Sequence, residues 1–143
     1  MEKVKDKELK EFCKSLEKYS EDELKAMVYQ MEDEFYGDFY SKNPQAAICY
    51  MPSGPIWICI KFLKANAKKV DRIVKEHHND IATMVYSIGV VVGNQLILSG
   101  RVNSMTAVYT LLMYFAKVGL DKFLADTKNS PDDTSDEGKG DTK

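Results

Sequence analysis

Two adjacent histidines, three cysteines, one tryptophan and two opposed blocks of charge are what this 143-residue chain offers for building chemistry. His77 and His78 stand between Glu76 and Asp80. Neighbours on a helix point about 100° apart, so the pair cannot grip one metal as an i, i+4 pair does. The spacing places His77 at a helix–core boundary and His78 in solvent, and no metal site is expected. Cys13, Cys49 and Cys59 are odd in number and lack CxxC spacing, which suits free thiols in a reducing compartment. All three fall on apolar faces, where burial raises a thiol pKa and works against nucleophilic use.

No catalytic set assembles. The chain has no GxSxG elbow, phosphate-binding glycine loop, HExxH pair or dinucleotide fingerprint, and Gly89-Val90-Val91-Val92-Gly93 has the wrong spacing for the last. The acids of Glu32-Asp33-Glu34 and Asp132-Asp133 read as a solvated helix face and a tail. A non-enzyme without cofactors is the expectation.

Charge is more informative than motif. The formal net charge is only -2, yet its distribution is uneven. Lys61 to Lys75 holds six bases against Asp71, and Glu21 to Asp38 holds seven acids against Lys25. Lys64, Lys68, Lys69, Arg72 and Lys75 could meet phosphates, an acidic protein or the chain's own acids.

Elements must position these groups. Val4–Tyr19 reads as a helix with Leu9, Phe12, Cys13 and Leu16 on one face. Ser20-Glu21-Asp22-Glu23 is a capping box opening a second helix, striped by Leu24, Met27, Val28, Met31 and Phe35 and ending at Gly37. Ala46–Met51 and Ile56–Leu63 then form a hairpin around Pro52-Ser53-Gly54-Pro55. In that register Cys49 and Cys59 point to opposite faces. A third helix runs from Leu63 to about His78, while Ile81–Ser87 is ambiguous between strand and helix. Gly89–Gly100 reads as a second hairpin turning at Gly93-Asn94, and Asn103 or Ser104 caps a helix to about Lys117. Residues 126–143 have the composition of a disordered acidic tail.

These elements give an α+β fold: an antiparallel sheet of two hairpins backed by helices, in the order ααββαββα. Residues 1–125 make one domain, with a helical pair over 1–40 and sheet plus helices over 45–125. The order of elements resembles that of small secretion chaperones and related dimeric adaptors, a likeness at the level of fold alone. Ile81–Gly100 is uncharged and about as long as a bilayer span. Its polar residues and the turn at its middle point away from a membrane.

More apolar surface is expected in the second half than the remaining elements can cover. The expected function is therefore a non-catalytic interaction module, adaptor or chaperone-like and homodimeric, in the cytoplasm or another reducing intracellular compartment. It would bind a partner segment through an apolar sheet face or groove anchored by Ile48, Tyr50 and Trp57. The alternative is a nucleic-acid-binding protein using the basic helix over 61–75.

Overall fold

The structure, a computed structural model, describes residues 2–42 and 53–120. Six helices follow one another: α1 (Glu2–Leu16), α2 (Glu21–Lys42), α3 (Pro55–Ala65), α4 (Ala67–Glu76), α5 (Ile81–Leu98) and α6 (Met105–Val118). No strand occurs among the described residues, so the α+β expectation is wrong and the fold is helical. The likeness to secretion chaperones goes with the sheet.

The first two helices form where the sequence placed them, α1 spanning Glu2–Leu16 and α2 starting at the capping box. Ser20 Oγ accepts from the Glu23 amide at 3.1 Å, and the Glu23 carboxylate accepts from the Ser20 amide at 2.8 Å. This reciprocal pair satisfies two orphan donors at the start of α2. The second helix does not stop at Gly37, however. It continues to Lys42 and carries Phe35, Tyr36, Phe39 and Tyr40 as stacked and edge-on ring pairs. The two pairs at i, i+4, Phe35 with Phe39 and Tyr36 with Tyr40, are worth about 0.2–0.5 kcal/mol each and offset much of the roughly 0.5–1 kcal/mol that one helical glycine costs.

The second predicted hairpin is the middle of α5. Gly89 and Gly93 are four apart and share a helical face. A Cβ at Gly89 would run into the Tyr109 ring, and one at Gly93 would lie 2.8 Å from Met105 Cε. These glycines let α6 approach; they do not turn the chain. Val90, Val91 and Val92 cost at most about 0.7 kcal/mol each as helix formers. Packing more than repays this, because α5 lies against α1, α3, α4 and α6.

Ile81–Ser87 resolves as helix. Asp80 caps it by accepting from the Thr83 amide at 3.2 Å and the Thr83 hydroxyl at 2.7 Å. Glu17, from the turn after α1, accepts from the Ala82 amide at 3.0 Å. Ser104 is the cap of α6, accepting from the Ala107 amide at 3.2 Å. The α1 terminus is closed from the far end of the chain, where Lys117 Nζ donates to the Glu17 and Tyr19 carbonyls at 2.6 and 2.9 Å.

The first predicted hairpin also fails on its second half. Ile56–Leu63 belongs to α3, and Ala46–Met51 lies outside the described residues. Pro55 takes the first helical position, where a missing N–H costs nothing. The third predicted helix is two: Asn66 ends α3 and starts α4, its side chain donating to the Phe62 carbonyl at 2.8 Å and to Gln95 at 3.0 Å.

The core sits between α5 and α6. Every residue from Val108 to Phe115 is buried, enclosed by α1, α2 and α5. The apolar surplus assigned to this helix is therefore covered within one subunit. Ile81–Leu98 is apolar and long enough to cross a membrane, with mean hydropathy 1.7, and half of it is buried inside the bundle. The turn that argued against a span is absent, since Gly93 and Asn94 lie within the helix. The predicted acidic tail lies outside the described residues.

Candidate docking groove

Along α2 the buried residues Leu24 and Val28 continue at the same i, i+4 spacing to Glu32 and Tyr36. An acid thus interrupts an apolar stripe, and the reason lies across the interface. Gly54 offers no side chain to cap α3. Glu32 Oε2 instead accepts from the Ile56 amide, supplying a carboxylate to the positive end of that helix. A Cβ on Gly54 would sit 2.5 Å from Glu32 Oε1 and 2.9 Å from the Tyr36 hydroxyl, so a larger residue there would have to push both side-chain ends aside.

The stretch leading into α3 is held from below as well. Arg101 Nε donates to the Ser53 carbonyl at 3.1 Å and Nη1 to the Ser99 carbonyl at 2.7 Å. Arg101 interrupts the uncharged run from Ile81 to Ala116, and here it ties the α5–α6 turn to the start of α3.

Between α2 and α3 lies an open groove of about 630 Å³, lined chiefly by Tyr29, Glu32, Tyr36, Ile56, Trp57 and Ile60. Tyr29 is exposed, Ile56 and Trp57 are half-buried, and Ile60 closes the floor. A second hollow of about 500 Å³ lies between α2 and the α5–α6 turn, with Glu34, Asp38 and Arg101 at its wall.

Burial pushes the Glu32 carboxyl above its usual range; the Ile56 amide opposes this and the charge of Asp33 adds to it. Burial also raises the Tyr36 hydroxyl, helped by the negative charge of Glu32 and opposed by the Gly54 amide and Arg101. The groove therefore holds one carboxylate in partly desolvated, aromatic surroundings.

Of the three anchors expected from sequence, Trp57 lines the groove, on a helix and not on a strand, while Ile48 and Tyr50 lie outside the described residues. The five bases fall on the last turn of α3 and on α4. Lys64 is half-buried, whereas Lys68, Lys69, Arg72 and Lys75 are exposed. Lys75 pairs with Asp71 at 3.1 Å. The basic helix packs on α5 and α3, so it is not laid along the acidic α2.

His77 ends α4 half-buried, and exposed His78 has Nδ1 at 3.1 Å from the Lys75 carbonyl. Cys13 and Cys59 are buried free thiols, the first pushed up to about 12 by burial and the second also pushed up. Cys49 lies outside the described residues. Sequence reasoning missed Tyr29, Glu32, Tyr36 and Arg101. For Glu32 a signal existed: a lone acid in register with Leu24 and Val28. No family model, curated protein or solved structure matches this chain.

Proposed function

We propose that this chain is a non-catalytic protein-interaction module that takes a partner segment into the groove between α2 and α3, with Trp57 as its anchor. The supporting observation is that a tryptophan and two tyrosines line an open cleft beside a sealed core. Aromatic residues with a half-buried body and a reachable edge dominate the energetics of such contacts. Because α6 is covered within one subunit, a different chain is favoured over a second copy as the occupant.

Trp57 is the only tryptophan, which makes its emission a direct reporter of the groove. Peptides selected on the full chain from a displayed random library should shift that emission. Trp57→Ala should weaken the selected peptides tenfold or more, in line with the roughly 2 kcal/mol that truncating an anchor costs. Selected binders that leave the emission unchanged and hold equally to Trp57→Ala would sink the proposal.

A second reading rests on Lys68, Lys69 and Arg72, which are exposed and make no ion pair among the described residues. They would serve a polyanion such as nucleic acid. Binding to an oligonucleotide should then fall steeply between about 50 and 200 mM salt, whereas groove binding changes little.

A further inference from the structure

We infer that the groove selects a partner segment bearing a cationic side chain, lysine or arginine, set against Glu32, with aliphatic neighbours packed on Ile56, Trp57 and Ile60. This rests on the groove being a docking site, and it adds the chemistry of the occupant.

Charge complementarity carries the choice. Among the described residues lining the groove the one charged group is Glu32, an acid. Its own helix surrounds it with Asp33, Glu34 and Asp38. No base is spent on it: Glu32 makes no ion pair within the described residues. Arg101 is occupied by the Ser53 and Ser99 carbonyls. Lys25 has its ammonium 5.8 Å from the centre of the Tyr29 ring, one turn away along α2.

The carboxylate is also fixed in place. One oxygen is held by the Ile56 amide and the other sits over Gly54, where no side chain intervenes. A fixed, partly desolvated carboxylate gains more from a cation than a mobile one in water. Aromatic lining favours the same sign, because a ring face attracts cations, as Lys25 already shows at Tyr29. The elevated carboxyl pKa is consistent, since a guest cation would relieve the burden that burial places on the charge. The chain's own residues 126–143 have the wrong sign, with six acids and three lysines.

The test is a double-mutant cycle on the full-length chain. The probe is the tightest library peptide that shifts Trp57 emission, together with its synthetic analogue in which norleucine replaces its lysine, or citrulline its arginine. Glu32→Gln keeps an acceptor for the Ile56 amide, and circular dichroism checks that it folds. Removing the peptide's charge should cost about tenfold in affinity on the wild-type chain and less than twofold on Glu32→Gln, with Asp33→Asn behaving nearly as wild type. Equal losses on wild type and Glu32→Gln, or groove-binding peptides that contain no lysine or arginine, would overturn the cationic occupant and leave the docking groove standing. Peptides that never move the Trp57 signal would remove both. The analogue peptide measured on wild type alone gives a reading that needs no variant: unchanged affinity overturns the inference.

Discussion

Glu32 serves α3 at a cost to itself. Its carboxylate stabilises the positive end of a helix whose own cap position is glycine, yet burial and Asp33 hold its pKa above the usual glutamate range. A carboxyl that binds its proton more tightly when folded stabilises the fold at pH values below the unfolded pKa. That contribution is lost as pH rises through the folded pKa. Glu32→Gln, which cannot ionise, should therefore be more stable than wild type near pH 7, with the gap narrowing toward about pH 4. Denaturant titrations of both proteins at the two pH values check this; a gap that widens on acidification would contradict it. The residue was visible in the sequence as an acid at the i+4 position from Val28, but its partner, the Ile56 amide, is 24 residues away. Composition cannot announce a cap supplied from another helix. Trp57 was legible for the opposite reason, since a tryptophan in an apolar run must be packed or must bind, whatever backbone carries it.

The elements divide according to how their ends are marked. Helix α2 begins with side chains that cap it locally, and α6 begins with Ser104, so both starts could be read from a few adjacent residues. Helices α3 and α5 are apolar on nearly every side, and a helix without a polar face loses the 3.6-residue period that distinguishes it from a strand. What remained was β-branched content and the dipeptide Gly93-Asn94, which has the residue types of a tight turn. The better signal was the spacing of Gly89 and Gly93, whose missing side chains admit Tyr109 and Met105 from α6. Asn94 itself is exposed on the outer side of α5. The two backbones respond oppositely to its replacement. Asn94→Ala should raise stability by about 0.5 kcal/mol in a helix, through propensity alone, whereas in a two-residue hairpin turn it would lower it. Thermal and chemical unfolding of that variant, with far-UV circular dichroism to confirm helical content, decides between them.

At the level of the assembled chain, the ends of the helices are joined over long sequence distances. Lys117 closes α1, Glu17 caps α5, Glu32 caps α3, and Arg101 fixes the approach to α3. These contacts let one subunit enclose the stretch from Val108 to Phe115 that seemed to demand a second copy. The large apolar side chains left exposed among the described residues are Tyr29, Val90 and Leu98. Tyr29 belongs to the groove wall, and Val90 and Leu98 are two turns apart on the outer side of α5. Two aliphatic side chains fall well short of the roughly 800 Å² per partner that a stable interface buries. The expected state is a monomer of 16.3 kDa. Multi-angle light scattering should return that mass from low to high salt, because outside the groove the described residues expose no apolar patch large enough for salt to strengthen. A doubled mass would place the self-contact on the outer side of α5, and Leu98→Glu would then have to restore the monomer. If the doubled mass survived that substitution and vanished with Trp57→Ala instead, the groove would hold a second copy of this chain and not a foreign segment.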